Sequence, residues 1–95
     1  MTDAKAITVQ IPHPLRERCA GAAELSLPAS SVRSALDELK RQYPSLYQCI
    51  CDETGSVRRH IALFVNKTLV RGLQSLDMTL GPGDVLTIMP AVSGG

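Results

Sequence analysis

The sequence predicts an α+β fold in which a small mixed sheet of five strands is covered on one face by one main helix. Three observations carry this expectation. Short segments alternate apolar and polar residues in two separated pairs, one stretch has the three- and four-residue spacing of an amphipathic helix, and a β-branched segment follows a dense glycine and proline turn near the end. The 95 residues suffice for one core and not for two. Area scaling has folding remove roughly 64% of the unfolded surface. Hydrophobic residues at 44% and charged residues at 20% match a globular chain rather than a disordered one.

Ile7-Thr-Val-Gln-Ile11 alternates with β-branched character and is closed by Pro12 and Pro14, as a half-buried strand would be. A turn-prone patch around Gly21 leads to Ala23-Glu-Leu-Ser-Leu27, which alternates again up to Pro28 and reads as the second arm of a hairpin. Ser30 and Ser31 are suited to cap a helix whose Val32, Leu36, Leu39 and Tyr43 share one stripe, with Arg33, Asp37, Lys40 and Arg41 opposite. Pro44 disfavours helical geometry at Tyr43, which places the helix end there. From Ser45 to Arg59 the periodicity is weak: Leu46, Tyr47 and Ile50 suit a short helical turn, Asp52 to Ser56 a polar loop, and irregular structure is expected.

His60-Ile-Ala-Leu-Phe-Val65 reads as a buried strand that turns at Asn66-Lys67 into a short returning strand, Thr68 to Val70. Leu76, Met78 and Leu80 lie in a connection crossing the core edge. It ends at the turn Gly81-Pro-Gly-Asp84, and Val85-Leu-Thr-Ile-Met89 forms the last strand before Pro90. This order reads as a β-grasp, or ubiquitin-like, arrangement: residues 1–90 make the domain and residues 91–95 a flexible reactive tail.

Ten Lys and Arg against nine Asp and Glu leave a net charge of +1 with both signs dispersed, which argues against nucleic acid. No apolar run approaches the roughly 20 residues that span a bilayer, and Met1 to Ala6 lacks the apolar core of a signal peptide. A cytoplasmic protein is expected. Cys19, Cys49 and Cys51 are an odd set with no secreted disulfide framework. Cys49-Ile-Cys51 has a C-x-C spacing, not the C-x-x-C of redox sites, and is read as small apolar filling. His13 and His60 are isolated and read as solvated ends of elements, so no metal site is expected. The nucleotide-binding loops G-x-x-x-x-G-K-[ST] and G-x-G-x-x-G and the hydrolase elbow G-x-S-x-G are absent.

Glycines gather instead at Gly81, Gly83, Gly94 and Gly95. At an average usage near 7%, a closing Gly-Gly arises by chance in roughly 0.5% of chains. Such an ending suits a reactive α-carboxylate, because residues without Cβ thread a narrow enzyme channel and take any φ. Ala91 to Gly95 reach about 16 Å beyond the sheet. A carboxylate is no electrophile at neutral pH. An ATP-using partner enzyme would have to convert it to an acyl-adenylate, which a sulfur donor would turn into a thiocarboxylate and an amine into an amide.

Phe64-Val-Asn66 opening a hairpin, Gly83-Asp84-Val85 before a strand, and Ile88-Met-Pro-Ala-Val-Ser-Gly-Gly95 at the end resemble the bacterial sulfur-carrier proteins of the ThiS and MoaD family. Ile11-Pro12 with Leu15-Arg16, and the long segment from Pro44 to Arg59, are more similar to carriers serving cysteine or thiocarboxylate-siderophore assembly than to thiamine carriers. The Pro-Ala-Val-x-Gly-Gly ending is shared with molybdopterin carriers and does not separate these branches. The resemblance implies a sheet whose first and last strands are central parallel neighbours. It implies Gly95 as the activated residue, Gly94 as its unhindered neighbour, and Ala91, Val92 and Ser93 as the tether read by the activating enzyme. Met89 and Phe64, and equally Leu73, are read either as partner surface or as core.

The implied protein is a sulfur-donor substrate rather than an enzyme, with no bound cofactor and with ATP used by its partner. The implied partners are an E1-like adenylating enzyme, a sulfur-accepting biosynthetic enzyme and a C-terminal processing peptidase. Two other readings stay open: a ubiquitin-like modifier conjugated to lysines or a molybdopterin synthase small subunit, and a binding module whose Gly-Gly is incidental.

Overall fold

The computed structural model describes residues 6–70 and 76–90. Five strands form one sheet: β1 (Ala6–Gln10), β2 (Glu24–Pro28), β3 (Ile61–Val65), β4 (Thr68–Val70) and β5 (Val85–Pro90). Their order is β2-β1-β5-β3-β4. β1 and β5 run parallel, with Val9 opposite Leu86, while β1 with β2, β3 with β4 and β3 with β5 are antiparallel. The first and last strands are therefore inner parallel neighbours, as the resemblance implies.

Helix α1 (Val32–Gln42) follows β2. Its start is fixed by a reciprocal cap: Ser31 Oγ accepts from Ser34 N at 3.0 Å, and Ser34 Oγ accepts from Ser31 N at 3.0 Å. Lys40 and Arg41 in the last turn complement the helix dipole. The buried stripe is Val32, Ala35, Leu36 and Leu39. It packs on the inward residues of the sheet: Ile7 and Val9, Leu25 and Leu27, Ile61, Leu63 and Val65, and Leu86 and Ile88.

Two helical segments appear where the sequence suggested irregular chain. α2 (Pro44–Ile50) occupies the start of the weakly periodic region. Pro44 supplies a preset φ at its first turn, and Leu46 and Ile50, four residues apart, are both fully buried. Seven residues give only two core positions, too few to separate a helix from a turn by spacing. A 3₁₀ segment spans His13–Cys19, where a turn around Gly21 was expected, and it buries Cys19. Ala20 and Gly21, with φ of 59° and 81°, reverse the chain behind it. α1 is the main helix on the sheet, as expected, while α2 packs against α1 and against the 3₁₀ segment.

The connection before β5 behaves as expected: Leu76 and Leu80 are buried, and Thr79 bridges to Ser31 at the start of α1. No described helix is long and apolar enough to cross a membrane.

Candidate functional site

The expected reactive residues Ala91, Val92, Ser93, Gly94 and Gly95 lie outside the described residues, as does Leu73. The structure does define the base from which that segment departs. β5 is held on both sides, by Thr8, Val9 and Gln10 of β1 and by β3 as far as the pair Ile61 and Pro90. β1 holds β5 only as far as Thr87, so the last residues of the strand, Ile88 to Pro90, are carried by β3 alone and border an open groove on the β1 side. The parallel pairing brings the end of β1, and the 3₁₀ segment after it, to the same edge. The antiparallel pairing brings the start of β3 there too.

β5 is also fixed at its beginning. Asn66, at φ 55° in the β3–β4 turn, accepts from Val85 N through Oδ1 at 3.1 Å and donates its backbone N–H to Val85 O at 2.7 Å. Asp84 accepts from Gly81 N at 2.8 Å and from Asn66 Nδ2 at 3.3 Å. Its backbone carbonyl accepts from Thr8 N at 3.0 Å. Gly83 takes φ 89°, a conformation that L side chains resist. Two of the fragments that carry the resemblance, Phe64-Val-Asn66 and Gly83-Asp84-Val85, therefore form one hydrogen-bonded latch.

Alternation places Ala62 and Phe64 of β3 and Val85, Thr87 and Met89 of β5 on the sheet face away from the helices, opposite their buried neighbours. On that face Phe64 pairs with Leu69 and with Thr87, and Ala62 pairs with Met89. Met89 is 45% exposed and Leu69 36%, and Phe64 is half-buried. Neither Phe64 nor Met89 belongs to the core. An apolar strip of Leu69, Phe64, Ala62 and Met89 thus runs across the open face toward Pro90. Ala62 and Leu69 were not singled out in the sequence, although the alternation of β3 and the two-residue Asn66-Lys67 turn carry that information.

Of the three cysteines only Cys49 reaches the end of β5, where it lines a groove with Pro90. Cys19 and Cys51 are buried, and burial pushes both thiols up from the ordinary value, away from thiolate. Tyr47, beside Cys51, is also raised, chiefly by desolvation. Cys49 is half-buried and faces a different groove from Cys51. Among the described residues no cluster of His, Cys, Asp or Glu has metal-holding geometry. His13 and His60 are exposed at element ends.

Residues 9–95 match the ThiS family. The chain belongs to this family. Three relatives frame it further. The sulfur carrier protein CysO of Mycobacterium tuberculosis is 30% identical over 91 residues, covering 94% of this chain and 98% of that protein. A chain in the crystal structure of the Amycolatopsis orientalis BexX/CysO complex superposes with a TM-score of 0.82 at 31% identity, covering 95% of this chain and 100% of that one. The solution structure of small archaeal modifier protein 1 from Methanosarcina acetivorans gives a TM-score of 0.78 at 31% identity, covering 99% of this chain and all of that one, 100%. The fold of this ThiS-family chain is the β-grasp, with a mixed five-stranded sheet.

Proposed function

We propose that this ThiS-family chain is a sulfur carrier whose Gly95 carboxylate is adenylated by an E1-like enzyme and converted to a thiocarboxylate for the biosynthesis of a small metabolite. The carboxylate oxygen attacks the α-phosphorus of ATP in the partner, giving the acyl-adenylate and pyrophosphate. A sulfur donor then displaces AMP, and the terminal sulfur passes to an acceptor in a biosynthetic enzyme. The observation that carries the reading is the pairing of β5 through to Pro90, which sets the last five residues on a rigid base beside an exposed apolar strip. In this reading the tail enters the enzyme and the strip of Phe64, Leu69 and Met89 docks on its outer surface. Five residues offer too little area for specific binding by themselves.

Cysteine or thiocarboxylate-siderophore assembly is the favoured branch, supported by the similarity to the mycobacterial sulfur carrier protein CysO. The CysO of the Amycolatopsis structure is in complex with BexX, which supports a docking role for the same domain here. A second reading, conjugation to protein lysines, is supported by the archaeal modifier. Intact-mass measurement of the chain after incubation with its activating enzyme, ATP and a sulfide donor separates them. A carrier gains the mass difference between one sulfur and one oxygen. A modifier instead forms adducts with other proteins that survive denaturant.

A further inference from the structure

Two arginines stand on either side of the end of β5. Arg16, in the 3₁₀ segment, lines a groove of about 320 Å³ with Pro12, Thr87 and Met89. Arg58, in the loop before β3, lines a second groove of about 310 Å³ with Pro12, His60 and Pro90. Each guanidinium is anchored in the same way, through Nε to a backbone carbonyl: Arg16 to Ile11 O at 3.0 Å, Arg58 to Gln48 O at 2.7 Å. That mode uses Nε and leaves the terminal nitrogens of each side chain available to a partner. Among the described residues those nitrogens have no hydrogen-bond partner and neither arginine makes a contact ion pair, although Arg58 also borders the groove of Asp52 and Glu53 and its charge helps to hold the Asp52 carboxyl below the ordinary value. Arg33 and Arg41 differ, for they meet Asp77 at 3.1 Å and Glu38 at 2.8 Å.

We propose that Arg16 and Arg58 are a pair of pre-oriented forks that receive carboxylates from an acidic face of the activating enzyme, on the two sides of the channel that admits the tail. This rests on the carrier reading above and names the chemistry of the surface that meets it. An anchored planar guanidinium matches a carboxylate bidentately and has already given up much of its rotamer freedom. The five residues after Pro90 span up to about 16 Å, so groups at the base of the tail face the wall of the channel and not the nucleotide within it. The whole chain carries only +1, which disfavours an extended nucleic-acid backbone as the occupant, and Glu24 in the Arg16 groove confines the positive charge there to the fork itself.

The test is pyrophosphate exchange catalysed by the chain's own activating enzyme, with carrier concentration and salt varied, for the unmodified chain, Arg16→Glu with Arg58→Glu, and Arg16→Lys with Arg58→Lys. The Glu pair should raise KM about tenfold or more with kcat nearly unchanged, and should flatten the salt dependence of kcat/KM. The Lys pair, which keeps charge but loses the Nε anchor and the fork, should recover only part of the loss. Circular dichroism checks the fold, and if the Glu pair unfolds the Lys pair decides. A folded Lys or Glu pair with unchanged KM and salt response overturns the assignment of the forks. No exchange with the unmodified chain overturns the carrier reading itself and, with it, the named occupant. Binding of an RNA homopolymer that the Glu pair abolishes would assign the forks to phosphates and overturn a protein occupant.

Discussion

Asn66 and Asp84 meet side chain to side chain, Nδ2 donating to Oδ1 at 3.3 Å, and the contact ties the β3–β4 turn to the start of the strand that carries the tail. The Asp84 carboxylate lies below the ordinary value, first because Gly81 N donates to it and second because Asn66 does. A carboxyl depressed in the folded state stabilises above its unfolded pKa, and that contribution fades as pH falls through the folded value. Asp84→Asn keeps the shape and removes the titration. The melting temperatures of the two proteins should differ near pH 6 and converge as pH falls below the ordinary carboxylate range and through the lowered folded value. A difference independent of pH would show that the latch does not depend on the charge.

Asn66 itself holds a positive φ and engages both the N–H and the carbonyl of Val85. Asn66→Ala should cost about 1–2 kcal/mol, measured by urea unfolding, from lost hydrogen bonds and a strained backbone. Asn66→Gly, which relieves the strain alone, should cost less.

Met89→Asp and Phe64→Asp address the open face. Met89 is 45% exposed, so its substitution should leave thermal stability unchanged while weakening productive binding to the activating enzyme by more than about 1 kcal/mol if it is a hot spot. Unchanged activation by both folded variants would place the docking surface elsewhere.

Changing Cys19, Cys49 and Cys51 together to Ser should lower stability, because two of the three thiols are buried and a hydroxyl there needs a partner. The folded triple variant should still accept sulfur at its terminus. Complete loss of transfer in that variant would move the chemistry to a side-chain thiol.

The sheet was legible because its signals are local: alternation in Ile7–Ile11 and Ala23–Leu27, the Asn66-Lys67 turn, and the run after Gly83-Asp84 each identify a strand by themselves. The spacing of Val32, Leu36 and Leu39 did the same for α1, and Ser31 proved to be its cap. α2 and the 3₁₀ segment were not legible, since each is seven residues long and takes its stability from packing Leu46, Ile50 or Cys19 on distant chain. Whether Phe64 and Met89 faced the core or the solvent depended on register, which the pairs Phe64–Leu69 and Ala62–Met89 decide. The forks of Arg16 and Arg58 left no trace in the sequence, because their acceptors, Ile11 O and Gln48 O, are backbone atoms brought near only by the fold.

The measurement that bears most directly on the central claim is the intact mass of the chain after reaction with its activating enzyme, ATP and sulfide, made on the unmodified protein, on a variant lacking Gly95 and on Gly94→Val. The carrier account predicts exchange of one terminal oxygen for sulfur at Gly95 in the unmodified chain, and no change in either variant although both melt as the parent does. Sulfur accepted by either folded variant would contradict it.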